Sequence, residues 1–277
     1  MKKIGFIQGR LIEPEIKNRV QSFPWKNWKK EMSLAKKNGF KIMEWTIDYK
    51  NFFKNPLIDK EQHYIVKKNL KKNGLKIPSV TCDFFMQKAF YHSQSPRAKL
   101  DIKDKMKLLI ENSSIFNIKY LVVPLIDNSK IFNSKQLHLC INFFKSLRNN
   151  LKKNKVKIVF ETDFNKKKQL KFINQLDSNF GINYDTGNSK SLNFNLKEEA
   201  KYFNRVLNIH IKDRKIKGKT TKLGTGDVDF NLFFKLIEKK RYKGNFILQT
   251  ARSKKNKHVA EINDNIKYLQ KILYENR

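Results

Sequence analysis

Eight short runs rich in β-branched and aromatic residues, spread over the whole chain and separated by amphipathic stretches, constrain the fold more than any other feature. The runs fall near residues 4–8, 40–45, 76–82, 119–124, 156–161, 181–185, 206–211 and 245–250. Between them, apolar residues at helical spacing predict helices over 27–38, 60–73, 98–116, 134–152, 229–240 and 260–275. Strand and helix in alternation is the pattern of βαβ units, and eight strands in 277 residues fit one closed parallel barrel. The expected fold is therefore an α/β chain, a (β/α)8 TIM barrel forming one domain over residues 1–277. Punctuation agrees: Gly39, Gly74 and Gly244 stand where a helix ends before a strand, the place for a left-handed cap. Asn133, with Ser134 beside it, and Asp229 stand where helix N-caps belong. Neither a longer repeat nor a low-complexity linker divides the chain.

Hydrophobic residues make up 39% of the chain, with 22 Phe among them, enough for a barrel core and its surrounding helices. Sixty Lys plus Arg against 25 Asp plus Glu give a formal charge of +35, a surface that attracts anions such as a phosphorylated sugar, a nucleotide sugar or a nucleic acid. The lysines are spread over every predicted helix, which favours broad compositional drift over a dedicated nucleic-acid face. Cys82 and Cys140 suit buried thiols in a reducing compartment better than a disulfide framework. The N-terminus runs directly into a strand pattern, and no window reaches the roughly 18 apolar residues of a membrane span. A cytoplasmic location without membrane association is expected.

Functional groups of such a barrel sit at the carboxyl ends of its strands. The fifth run ends in Glu161, the sixth in Asp185 followed by Asn188, the seventh in His210 followed by Lys212 and Asp213, and the eighth in Gln249 followed by Arg252. Singly, each has an ordinary alternative, the aspartate as a helix cap and the histidine as a packing residue. Together, two carboxylates, an imidazole and an amide oxygen suit one divalent metal ion (Mn²⁺, Mg²⁺, Co²⁺ or Zn²⁺) at an open site rather than a structural zinc. Gln8, Arg10, Glu44 and Arg252, at or just past strand ends, are assigned to substrate oxygens, the arginines being suited to a phosphate or carboxylate. For the arginines the alternative is a surface ion pair. Lys212 and Asp213 are read as substrate contact and orientation, or else as a structural salt bridge. Gly224-Thr-Gly226 lacks both the P-loop lysine and the dinucleotide fingerprint and reads as a tight turn into the seventh helix. His63, His92, His138 and His258 show no metal-ligand spacing.

Seven segments carry a resemblance. They are Ile-Gly-Phe-Ile-Gln8-Gly9-Arg10-Leu11, Gln21-Ser-Phe-Pro24-Trp25, Met43-Glu44-Trp45, Tyr184-Asp185-Thr-Gly-Asn188, Ile-His210-Ile-Lys212-Asp213-Arg214, Leu223-Gly-Thr-Gly226-Asp-Val-Asp229-Phe230 and Leu248-Gln249-Thr-Ala-Arg252. On them the chain resembles the xylose isomerase-like TIM barrel superfamily, in its sugar phosphate isomerase/epimerase branch. The resemblance implies that Glu161, Asp185 and His210 are metal ligands and that Glu161 is also a proton-transferring base. Gln249 stands where the family usually has a second glutamate, which completes the metal site and faces the first across the substrate carbon. A glutamine still offers a carbonyl oxygen but neither accepts nor returns a proton at neutral pH. Three outcomes are open: Glu161 alone moves hydrogen between neighbouring carbons, which is favoured; Lys212 or Glu44 assists; or catalysis gives way to binding. Asn188 replaces a histidine of some relatives that act on free sugars and keeps only a hydrogen bond to a hydroxyl.

The implied function is a metal-dependent isomerase or epimerase acting on a small sugar or sugar phosphate. Its alternatives are a non-catalytic sugar- or nucleotide-sugar-binding barrel and a lyase of the inosose-dehydratase type. Related DNA-repair endonucleases use a histidine-rich three-zinc cluster that these five histidines do not supply, so a small anionic sugar and no specific nucleic acid is the expected partner. The oligomeric state, a homo-oligomer included, stays open.

Overall fold

Eight parallel strands close on themselves in the computed structural model, which describes residues 4–16, 21–93, 95–253 and 256–275. They are β1 (Ile4–Ile7), β2 (Met43–Thr46), β3 (Ser79–Thr81), β4 (Tyr120–Leu125), β5 (Lys157–Thr162), β6 (Phe180–Asp185), β7 (Val206–Ile211) and β8 (Phe246–Leu248). Each pairs in parallel with the next, and β8 pairs back onto β1, giving the (β/α)8 TIM barrel that the alternation predicts. The principal outer helices are Trp28–Lys37, His63–Asn73, Pro96–Ile115, Ser134–Lys145, Arg148–Asn154, Lys166–Ile173, Phe230–Lys239 and His258–Glu275. Phenylalanine knits strands to helices: Phe160 on β5 packs against Phe144 and Phe172 of the helices outside it, with ring centroids 4.8 and 5.0 Å apart. Each such ring, fully buried, contributes on the order of 1.5–3 kcal/mol. Cys82 and Cys140 are both free and buried. No helix among the described residues is long and apolar enough to cross a membrane.

Local chemistry sets the boundaries. Asn133 accepts the amide of Gln136 and Asp229 that of Leu232, each at 2.9 Å, so both are N-caps, while Ser134 is already the first helical residue. Gly39 (φ +75°) and Gly74 (φ +62°) take the left-handed conformation after their helices. Gly244 does not, a correction to the sequence reading. The helix before it ends at Lys239 with Lys240 as its C-cap and Arg241 at φ +52°, and Gly244 instead leaves room for the ring of Tyr242, whose hydroxyl donates to the Asn245 carbonyl.

The helix expected over 134–152 is two helices, broken at Ser146 and Leu147, where the Ser146 hydroxyl folds back onto the Phe143 carbonyl at 2.7 Å. Lys166–Ile173 and Thr186–Ser191 were not foreseen as helices: the first opens on three lysines, the second is short and polar. Asn165 and Asp185 cap them through the amides of Lys168 and Asn188.

Inside the barrel, the layer toward the carboxyl ends is polar. Glu44 on β2 accepts the hydroxyls of Ser79 and Thr81 on neighbouring β3, both at 2.6 Å, and across the lumen the amide of Asn208 on β7 at 3.0 Å. Asn208 in turn donates to Asn183 on β6 at 2.8 Å. This hydrogen-bonded platform carries the candidate site.

Candidate metal centre and active site

Strand register brings the site together. Asp185 at the end of β6 lies level with His210 on β7, and Phe160 on β5 is level with Ile182 on β6, which sets Glu161 beside Asn183. One ligand atom from each of Glu161, Asp185 and His210 lies within 4.8 Å of the other two, and all three residues are buried. Among the described residues they form the one such cluster.

Each carboxylate is held by specific donors. Glu161 accepts the Asn188 amide on Oε1 at 2.6 Å and the Asn183 amide on Oε2 at 3.0 Å. Asp185 uses one oxygen to cap the following helix through the Asn188 N–H at 2.7 Å and sets the other 2.8 Å from the Lys212 ammonium. His210 is held on both ring nitrogens, with Nε2 2.7 Å from Glu44 Oε1 and Nδ1 3.1 Å from Glu161 Oε2. Burial alone disfavours a charged imidazole, but Glu44 and Glu161 outweigh it and push the His210 pKa up to about 10. Burial likewise opposes ionisation of Glu44, yet His210 and the hydroxyls of Ser79 and Thr81 hold its carboxyl below the ordinary value. With Glu44 holding the proton on Nε2, Nδ1, on the side of the two carboxylates, is the nitrogen that would give up its proton to hold a metal ion.

This donor set fits a divalent ion. It offers two carboxylates and an imidazole nitrogen without thiolate, and beside them Gln249 Oε1, a buried carbonyl oxygen with no hydrogen-bond partner. Above it opens a cavity of about 690 Å³ at the carboxyl ends of the strands, the size class of a small-molecule site. Glu161, Asn188, Lys212 and Gln249 line it, with Arg10, Arg214, Lys219 and Arg252 as its other cations.

Three of the expected substrate contacts lie away from the cavity, a correction to the sequence reading. Gln8, Glu44 and Asp213 are fully buried and do not line the cavity. Gln8 accepts the Thr46 amide at 3.1 Å, and Glu44 belongs to the platform beneath the site. Asp213 accepts the amides of Gly224 and Gly226, both at 2.9 Å, and of Val228 at 3.2 Å, so it ties down the loop that leads into the helix Phe230–Lys239. The two arginines form a clasp between β1 and β8. Arg10 Nε donates to the Thr250 carbonyl at 3.1 Å, and Arg252 Nη1 donates to those of Gly9 and Ile12 at 2.5 and 3.1 Å.

Sequence reasoning missed Asn183, Asn208, Ser79 and Thr81 at the platform, Gln21 and Arg214 at the cavity, and Glu31 beneath the clasp. Two of these carry a signal in the strand period: Asn183 and Asn208 precede the candidate ligands Asp185 and His210 by two residues and so share their faces.

The family model for xylose isomerase-like TIM barrels matches residues 32–272. Among solved structures, the apo 3-keto-D-glucoside 4-epimerase YcjR of E. coli superposes with a TM-score of 0.73 at 14% identity, over 98% of this chain and 100% of that one. D-psicose 3-epimerase of Clostridium cellulolyticum H10, solved with D-tagatose, gives 0.71 at 14% identity over 98% and 99%. A xylose isomerase-like TIM barrel protein of Mycobacterium smegmatis in complex with magnesium gives 0.71 at 14% identity over 100% and 98%. At these identities the likeness is one of fold. A comparison with curated proteins finds no match. With 241 consecutive residues inside the family model and the barrel closed, the chain belongs to the xylose isomerase-like TIM barrel family.

Proposed function

We propose that this protein is a divalent-metal-dependent isomerase or epimerase of a small anionic sugar, of the sugar phosphate class. The observation that carries the reading is the convergence of Glu161, Asp185 and His210 beneath a cavity that Glu161 itself lines. When bound there, a divalent ion supplies the electrophile that polarises a sugar carbonyl or hydroxyl. Glu161 is the group that moves the proton. Its carboxylate is aimed by two amides, Asn183 and Asn188, which donate hydrogen bonds and accept no proton.

Gln249 neither accepts nor returns a proton, so removal on one face and return on the other lacks its second carboxylate. Glu161 instead takes the proton from the hydroxyl-bearing carbon beside the carbonyl and returns it to the carbonyl carbon, while the hydroxyl proton passes to the former carbonyl oxygen, so that carbonyl and hydroxyl change places. This favours isomerisation over two-base epimerisation. Lys212, an ammonium on the cavity wall, contacts a substrate oxygen, and the cations of the rim favour a substrate with a phosphate or carboxylate. The D-tagatose bound to one structural neighbour and the magnesium bound to another support a sugar and a divalent ion here.

Metal content of the purified wild type beside Glu161→Ala and His210→Ala is the first test, followed by incubation with aldose and ketose phosphates in D2O. About one ion per chain, lost in both variants, and deuterium entering carbon from solvent support the reading. A wild type that takes up no divalent ion in excess would sink it. Gln249 also favours a second reading, a binding barrel without turnover, which predicts metal and sugar binding with no deuterium incorporation.

A further inference from the structure

The orientation of the Gln249 amide decides whether that residue offers the site an oxygen or an NH2 group, and two side chains in succession fix it. Arg10 has only donors, and its Nη2 lies 3.5 Å from Gln21 Oε1. Turning Gln21 over would set an NH2 group against a guanidinium. The same Gln21 oxygen accepts Gln249 Nε2 at 3.2 Å, so the nitrogen of Gln249 is committed to Gln21. What remains is Gln249 Oε1, buried and without a hydrogen-bond partner, on a residue that lines the same cavity as Glu161. Arg10 is itself anchored, through Nε on the Thr250 carbonyl at 3.1 Å.

We infer that Arg10 and Gln21 are positioning residues that hold the Gln249 amide with its oxygen, not its nitrogen, presented to a divalent cation on Glu161, Asp185 and His210. The inference rests on the metal-dependent reading above. A cation is drawn to the negative end of an amide dipole and repelled by its NH2 end, so the relay makes a neutral residue serve as an oxygen ligand. It also gives Arg10 a task other than gripping substrate.

Calorimetric Mn²⁺ titrations of the wild type, Gln21→Glu, Gln21→Lys, Gln21→Met and Gln249→Met test this, with thermal unfolding to confirm that each variant is folded. A glutamate at 21 accepts from both Arg10 and Gln249, so Gln21→Glu keeps the wild-type affinity to within roughly twofold, whereas loss of an outer-shell orienting contact weakens it by about tenfold or more. Gln21→Lys presents a donor, draws the Gln249 oxygen to itself and weakens Mn²⁺ binding to the level of Gln249→Met. Side-chain amide resonances of Gln249 should shift on Mg²⁺ addition in the wild type and Gln21→Glu but not in Gln21→Lys. If Gln249→Met binds less tightly while both Gln21→Lys and Gln21→Met match the wild type, the relay is wrong and the metal reading stands. Unchanged binding by Gln249→Met also overturns the relay. A wild type that binds no Mn²⁺ overturns both.

Discussion

His210 Nε2 lies 2.7 Å from Glu44 Oε1, and both side chains are shut off from solvent inside the barrel. The contact spans 166 residues of sequence and crosses the lumen from β2 to β7. It gives Glu44 a role behind the candidate metal centre: a carboxylate on one ring nitrogen makes the other a better ligand and fixes its direction. Glu44→Gln removes that charge while keeping the volume. It should weaken divalent-ion affinity by about tenfold with little change in the far-UV spectrum, as calorimetric titration would show. An affinity equal to the wild type would mean that the ring is oriented without Glu44, through Nδ1, which lies 3.1 Å from both Glu161 Oε2 and the Asn183 amide.

Lys212 opposes the ion and is proposed to serve the substrate. Its ammonium is 2.8 Å from Asp185 Oδ2, so an arriving divalent cation must share that oxygen with a positive charge. Lys212→Met should therefore bind the ion more tightly, by several-fold to about tenfold, while turnover falls by about 10²-fold. The opposite signs are the test. A fall in metal affinity would show that Lys212 holds Asp185 in its ligating pose instead of competing for it.

Much of this was legible in the sequence because barrels put chemistry at strand ends, where local pattern is strongest. Asp185 and His210 could be picked out by position alone, and the eight strands followed from runs of Val, Ile and Phe. What lay hidden depends on partners far away in sequence. Glu44 looked like a substrate contact because nothing near it reveals Asn208 and His210 across the lumen. Asp213 looked like part of the site because its three amide donors lie on a loop 11 to 15 residues further on. Arg10 and Arg252 line the cavity, but nothing near them in sequence reveals that each also donates to carbonyls of the other's strand-end loop, 240 or more residues apart. The helix Lys166–Ile173 was missed because its buried face is only Gln169, Phe172 and Ile173.

Glu31 makes stability depend on pH near neutrality. Both of its oxygens lie 2.8 Å from the Gly9 amide, and one also accepts from Leu11 at 3.0 Å. Burial nevertheless pushes its pKa up from 4.5 to about 7, against the pull of those amides and of Arg252 and Arg10. An acid with a raised pKa holds its proton longer in the folded state than in the unfolded one. Its contribution is thus full below about pH 4.5 and is lost as pH rises to about 7, by on the order of 3 kcal/mol. Urea unfolding at several pH values should show this fall in the wild type and a shallower one in Glu31→Gln. Superimposable pH profiles would place the proton elsewhere.

Asp213 offers the sharpest contrast between a structural and a substrate-binding role. Its carboxylate gathers three backbone amides from Gly224, Gly226 and Val228, and a side chain at Gly226 would run into it, so loop and carboxylate are fitted to each other. Asp213→Ala strands those amides, which water reaches only in part, at a cost of about 2–4 kcal/mol, or a Tm lower by roughly 5–10 °C. Gly226→Ala should do comparable harm by pushing the carboxylate away, and the two changes together should cost little more than either alone, since both break one contact. Metal affinity should hold in both variants, because Asp213 faces the loop and not Glu161, Asp185 or His210. If instead Asp213→Ala keeps its Tm and loses apparent affinity for a sugar phosphate, the residue belongs to substrate after all, and the Gly224–Val228 turn must be held by other means.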